Sequence, residues 1–288
     1  MKAAIFGAGG QVGRALAATA PAGAEVFAFD RGQCDIRSAE EIERALALAK
    51  PRIVFNAAAF TGVERAEAEP DAAQALNADA AGLLAAEARA AGARTVHIST
   101  DYVFDGAAEH PYRPDDPPNP INVYGRTKLA GEAAVLRAAP DALIVRTQWL
   151  HSDQGANFVT SMLRLMREKS RLCVVRDQAG TPTSARALAR ALWTLAAAGT
   201  AGTLHYRDSG TTTWYGFAVA IQEEAAALGL LPGTTEIVPI VTADYPTPAR
   251  RPIYAVLDAG DAWKLLGQPA PHWRETLQHT LKEISARG

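Results

Sequence analysis

The chain has 288 residues, a formal net charge of −2 and 48% apolar side chains. That length suits one large α/β domain, or a domain with a smaller lobe, and the apolar share is enough for a sizeable core. The near-neutral charge gives no basis for a nucleic-acid or anionic-membrane partner, and no apolar stretch reaches the roughly 20 residues that span a bilayer.

The first apolar run, KAAIF, reads as a strand; broken at Gly7, it is far too short for a signal-peptide core. A helix is expected from Gln11 to about Ala20, and AEVFAF as the second strand. Ser38 reads as the cap of a helix through Lys50, with Glu41 three residues on completing a capping box. RIVFN is the third strand. Asp71 to Ala91 reads as one long Ala-rich helix ending at Gly92. RTVHI, a helix from Asn122 to about Ala138, and ALIVR follow. Strands separated by helical crossovers imply a parallel sheet covered on both faces, hence a doubly wound α/β fold of Rossmann-like type.

After Arg146 the pattern loosens. Helices are expected at about 155–169, 184–198, 214–228 and 272–286, with RLCVV and GTLHY as strands and DYPTPARRP extended. Residues 1–148 are expected to form a dinucleotide-binding domain, with strands near 171–206 added to its sheet. Residues 149–288 are expected to be mainly a substrate-binding lobe over the strands' C-terminal ends. Cys34 and Cys173 make no metal spacing and no redox pair; they read as reduced thiols in a cytoplasmic protein, and no metal site is expected.

The turn IFGAGGQVGRAL sets Gly7, Gly10 and Gly13 between the first strand and first helix. Glycine permits positive φ and close approach to a pyrophosphate, while the helix start offers unpaired N–H groups. About 20 residues on, Asp30 ends the second strand, where an acid favours an NAD ribose; Arg31 beside it favours the NADP 2′-phosphate. The choice between NADH and NADPH stays open. Asp35 is placed to edge an adenine, and the small residues of NAAAF let a cofactor lie against the sheet.

NVYGRTKLAGE puts Tyr124 and Lys128 four residues apart on one helix face. The lysine charge is expected to lower the phenol's pKa and fit it for proton transfer to a carbonyl. STDYVF, ending the fourth strand, supplies a companion hydroxyl: Thr100 first, Ser99 as the alternate, with Asp101 toward substrate hydroxyls. His97 alternates with apolar neighbours and reads as a satisfied core residue, as do Trp193 and Trp263.

These residues resemble the extended short-chain dehydrogenase/reductase family. GAGGQVG, NAAAFTGVERAE, HISTDYVFDG, PINVYGRTKLAGE, VRTQWL, GTPT and YPTPARRP together are similar to its dTDP-4-dehydrorhamnose reductase branch, over nearly the whole chain. The resemblance implies hydride transfer from NADPH or NADH to C4 of a dTDP-keto-sugar. It implies Tyr124 as proton donor, Lys128 on the nicotinamide ribose and Thr100 orienting the carbonyl, with Asp101 beside it. It places cofactor contacts at Gly7, Gly10, Gln11, Val12, Asp30, Asp35, Ile36, Ala59, Phe60 and Thr61. Trp149, Asn157 and the segment Gly180 to Thr183 are implied at the nucleotide sugar. Where the branch often has Thr-Ser-Trp and a following aromatic, this chain has Thr147-Gln148-Trp149 and Leu150, which alters the sugar pocket. Ala15 stands where some relatives carry a metal-binding glutamate. Arg250 and Arg251 fit either a diphosphate contact or a solvated loop, and the chain is expected as a monomer or homodimer. Three other outcomes share the fold: reduction to the C4 epimer, a nucleotide-sugar epimerase or dehydratase, and a non-catalytic subunit free to lose Thr100, Tyr124 and Lys128.

Overall fold

Strands that are apolar on both faces need cover on both faces, and the chain supplies it. A computed structural model describes residues 1–287. Its main sheet joins β1 (Lys2–Phe6), β2 (Glu25–Phe29), β3 (Ile53–Asn56), β4 (Arg94–Thr100), β5 (Leu143–Thr147) and a sixth strand, Gly202–His205, from the second half. Every pairing is parallel, and the spatial order is Gly202–His205, β5, β4, β3, β1, β2. The chain runs outward from β1 to β2, then crosses back to β3. This reversal opens a crevice at the strands' C-terminal ends, beside β1 and β3.

Alternate residues of each strand face opposite layers. Ala3 and Ile5 of β1 join a core with Leu16 of α1 (Gln11–Ala18) and Leu188 and Leu192 of a late helix, Ala185–Ala197. Trp193 of that helix donates to Leu16 O at 2.9 Å and meets Phe55 edge-on, so its packing role is plain. Ala4 and Phe6 face the other way, onto Ile42 and Leu46 of α2 (Ala39–Ala49) and Leu84. Ser38 caps α2 by accepting from Glu41 N. The reciprocal half of the expected capping box is absent: the Glu41 carboxylate accepts from Asp35 N at 2.8 Å and ties down the preceding loop.

The expected long helix over 71–91 is broken, and a short helix precedes it. α3 (Val63–Ala68) and α4 (Pro70–Gln74) lead into a π turn at Ala75–Asp79, and only then into α5 (Ala80–Ala90). The π turn bulges Asn77 toward the sheet. Its amide accepts from Phe60 N at 2.8 Å and donates to Phe60 O and to Thr127 Oγ1. Ala-rich periodicity carries no mark of such a bulge. Opposite it, α6 (Val123–Ala138) places Gly131, where a Cβ would strike Asn77 O.

Beyond β5 come β6 (Leu150–His151), α7 (Phe158–Glu168), β7 (Arg171–Val175), β8 (Ala179–Gly180) and β9 (Thr183–Ser184), leading into α8 (Ala185–Ala197) and β10 (Gly202–His205). Then follow β11 (Thr212–Thr213), α9 (Trp214–Ala227), β12 (Glu236–Ile240), α10 (Gly260–Leu266) and α11 (Trp273–Ser285). Of the strands expected to extend the sheet between 171 and 206, β10 does so. β7 pairs instead with β12, which the sequence reading missed. α7, β7, α9 and α11 enclose their own apolar core around Phe217, Trp273 and Leu277. α8, β10 and α10 thus pack with the first layer, whereas α7, β7, α9, β12 and α11 gather around the second core as a lobe. No helix among the described residues is long and apolar enough to cross a membrane.

The Gly131–Asn77 approach is testable. Gly131→Ala should destabilise the protein by about 1–3 kcal/mol through overpacking, read as a lower urea midpoint with an unchanged m-value.

Candidate functional site

The turn between β1 and α1 is built by glycine. Gly7 has φ +83°, and a Cβ there would run into the backbone of Ala57 and Ala58; a Cβ on Gly13 would run into Gly7 O. Gly10 N donates to Gly7 O at 3.0 Å, and Gly10 caps α1 without any side chain. The first N–H groups of α1 therefore face the crevice with the positive end of the helix.

A groove leads from this turn along one side of the sheet, lined by Asp30, Arg31, Asp35, Ile36, Ala59 and Phe60. Asp30 is exposed and its Oδ1 accepts from Gly32 N and Gln33 N, which shapes the loop. The Asp35 carboxylate is taken by Arg37 at 2.5 Å, which lowers its pKa to about 2. Arg65, within NAAAFTGVERAE but not singled out, also lines the groove, its guanidinium 4.3 Å from the centre of the Phe60 ring.

The second half of the crevice brings together Gly10, Gln11, Val12, Thr61, Thr100, Asp101, Tyr124, Lys128 and Trp149. Asn122 caps α6 through Gly125 N, so Tyr124 lies in the first turn, facing the strand ends. Gly125 lets α6 approach Tyr102 O, where a Cβ would collide. The two candidate hydroxyls separate cleanly. Ser99 donates to Glu132 Oε1 at 2.5 Å, and Glu132 grips Arg146 at 2.7 and 2.9 Å, all buried beneath the site. Thr100 donates to Asp101 Oδ1 at 2.9 Å and lines the crevice with Tyr124.

Burial dominates the acid–base groups. Asp101 is pushed up to about 7 by desolvation, partly offset by the Thr100 hydroxyl. Lys128 is brought down to about 8 by burial against the opposing pull of Glu132. Tyr124 is raised above the usual phenol value by burial, with Asp101 and Tyr102 adding to the rise against the Thr100 hydrogen bond. The expected lowering of Tyr124 by Lys128 is thus reversed here. Lys128 Nζ donates to Ile98 O at 2.7 Å and meets His97 Nε2 at 3.3 Å.

Two expected sugar contacts sit differently. Asn157 is the N-cap of α7, accepting from Thr160 N and donating to Ser152 O, so its amide is committed to the helix start; Gln154 to Ala156 line the crevice instead. Trp149 lines the crevice but has φ +44°, a strained value for an aromatic residue, and stacks on Trp214 at 3.6 Å. Gly180 lies under its ring, where a Cβ would clash, and Thr181 donates to Gly210 O. Arg250 is exposed, whereas Arg251 pairs with Glu64 at 2.5 Å and reaches the Tyr102 hydroxyl.

Gln148 was not singled out as a site residue, although it follows β5 at the ligand-binding edge, a usable signal. Both its amide atoms, Thr147 Oγ1 and Asp101 Oδ2 are buried without a hydrogen-bond partner among the described residues. All three residues line the crevice, and groups so placed fit a polar ligand that completes them. Among the described residues, no cluster of three or more His, Cys, Asp or Glu is arranged to hold a metal ion.

Comparison with known proteins gives a consistent result. Residues 1–286 match the family described as "RmlD substrate binding domain". A dTDP-4-dehydrorhamnose reductase of Burkholderia thailandensis is 42% identical over 295 residues, covering 99% of each chain. Among solved structures, a dTDP-4-dehydrorhamnose reductase from Clostridium acetobutylicum has a TM-score of 0.92 at 38% identity, covering 98% of this chain and 99% of its own. One from Bacillus anthracis, solved in complex with NADP, has a TM-score of 0.92 at 33% identity, covering 98% of this chain and 100% of its own.

The Asp101 environment has a pH signature. A carboxyl whose folded pKa lies above its unfolded value binds the extra proton in the native state, so its stability contribution is lost as pH rises from about 4 to 7. Asp101→Asn should therefore gain stability relative to wild type as pH rises through that window, seen as urea midpoints diverging between pH 4 and pH 8.

Proposed function

As the chain belongs to the dTDP-4-dehydrorhamnose reductase family, we propose that it reduces the C4 ketone of dTDP-4-dehydro-L-rhamnose to dTDP-L-rhamnose with NADPH. The observation that carries this reading is one crevice in which a glycine-built anion site continues into Thr100, Tyr124 and Lys128. The collisions a Cβ would make at Gly7 and Gly13, and the unpartnered buried atoms at Thr147 and Gln148, fit a bound dinucleotide and sugar. When bound, NADPH supplies the hydride.

The chain's own residues do the rest. The α1 start and Gly10 hold the pyrophosphate, with Gln11 and Val12 beside it. Asp30, Arg31, Arg37 and Arg65 surround the adenosine end, and the arginines favour a 2′-phosphate. Asp35, Ile36, Ala59, Phe60 and Thr61 wall the groove.

Tyr124 keeps its proton at neutral pH because burial raises its pKa. It gives that proton to the oxygen on which negative charge develops. Thr100, held by Asp101 and sharing the crevice with Tyr124, orients the carbonyl. Lys128, one turn along the same helix face, binds the ribose. Trp149 and Gln148 shape the sugar pocket. Residues 1–148 with α8 and β10 serve as the cofactor domain, and the lobe closes over the sugar. Intact Thr100, Tyr124 and Lys128 in one crevice support an enzyme over a non-catalytic subunit.

With dTDP-4-dehydro-L-rhamnose made fresh by its upstream enzymes, NADPH absorbance at 340 nm should fall only when the sugar nucleotide is present. Tyr124→Phe should cut turnover by about 100-fold or more while leaving NADPH binding nearly intact. Thr100→Val should approach that loss, whereas Ser99→Ala should retain most of the activity and lose stability instead. Wild-type turnover by Tyr124→Phe would remove the proton-donor role.

A further inference from the structure

Behind Lys128 lies a closed chain of polar side chains that the reaction just described does not use. Asn56 ends β3, His97 lies in β4 and Lys128 in α6; all three are buried. Asn56 Nδ2 is 3.1 Å from His97 Nδ1, and His97 Nε2 is 3.3 Å from Lys128 Nζ. Asn56 is oriented by a third contact: its Oδ1 accepts from Ala58 N at 3.2 Å. The reversed amide would set its NH2 against that N–H, donor against donor.

The proton count then follows. With Asn56 donating, His97 Nδ1 must be the acceptor. A neutral imidazole carries one N–H, so the proton sits on Nε2, aimed at the lysine. Burial and the nearby lysine charge both disfavour the imidazolium. A donor facing Lys128 opposes the ammonium, which has no lone pair, and suits the neutral amine. Ile98 O accepts the lysine's opposite hydrogen bond and fixes the nitrogen in place.

Resting on the reductase reading, we propose that Asn56 and His97 form a tautomer lock that holds a hydrogen-bond donor against Lys128 and so makes its ammonium more acidic. His97 is a positioning residue acting through Lys128. The other charged and titratable groups around the lysine do not supply this effect. Glu132, one turn further along α6, favours the ammonium and is itself bound to Arg146 of β5. Asp101 and Tyr124 line the crevice on its open side, and a carboxylate at Asp101 also favours the ammonium. Ala57 and Ala58, which follow Asn56, lie against Gly7, so the lock is anchored to the turn that receives the pyrophosphate.

The test reads protons directly and needs no substrate. In protein carrying 15N-histidine, long-range 1H–15N correlation spectra should show His97, assigned by its loss in His97→Gln, as the neutral Nε2–H tautomer at pH 7. An Nδ1–H tautomer or an imidazolium would overturn the proposal. In protein carrying 13C-lysine, the Lys128 Cε titration gives the second readout. Asn56→Asp accepts from Nδ1–H and turns the Nε2 lone pair to the lysine, so Lys128 should titrate about one pH unit higher. In a His97→Phe background the same Asn56→Asp change should leave the lysine midpoint close to where that background has it. An equal rise in both backgrounds means the aspartate charge acts alone, and the lock is wrong. If the buried aspartate prevents folding, the wild-type tautomer decides by itself. A chain with no turnover on the keto sugar but the Nε2–H tautomer would fail as a reductase while keeping the lock.

Discussion

The placement of the site depends on a buried ion pair beneath it. Glu132 and Arg146 meet through two short hydrogen bonds, each side chain about 5% exposed, and Ser99 donates to the same carboxylate. Desolvating two charges costs nearly what their attraction returns, so the pair adds little net stability. Its effect is geometric. Glu132 lies four residues beyond Lys128 and eight beyond Tyr124, on the same face of α6. Fixing Glu132 to β4 and β5 fixes the rotation of the helix, and with it the phenol and the ammonium over the strand ends. An apolar contact in the same place would let the helix turn or slide.

Much of the first half was readable because its information is local. Short continuous apolar runs, capping residues and a glycine turn between strand and helix each state their own structure. Tyr124 and Lys128 were found by a four-residue spacing. The ambiguity between Ser99 and Thr100 was readable too, from alternation. Ser99 shares a strand face with His97, under α6, so it belongs to the buried network; Thr100 faces the other way at the strand's end. Asn157 is similar: Asn three residues before Thr at the start of an amphipathic run is a capping pattern, and the structure uses it as one.

Other features are set by partners far away in sequence. Nothing within RLCVV says that it pairs with residues 236–240 rather than with the main sheet. The rise in the Tyr124 pKa comes from burial, with Asp101 and Tyr102 adding to it, not from the helix that carries it. Arg251 is held beside Tyr102 by Glu64, 187 residues earlier. Gln148 and Trp149 lie where the chain leaves the sheet for the lobe. Trp149, at positive φ, stacks on Trp214, so this wall of the crevice is shaped by a junction between two cores.

The π turn at Ala75–Asp79 holds one more residue per turn than the helices around it. That surplus residue is what brings the Asn77 amide to Phe60. Deleting a single residue of this segment would restore regular helix and withdraw the Asn77 amide from Phe60. The groove wall at Phe60 would lose its tether although no groove residue had changed. The length of Ala75–Asp79 is therefore as much a part of the groove wall as the Asn77 side chain, and insertions and deletions should spare this turn.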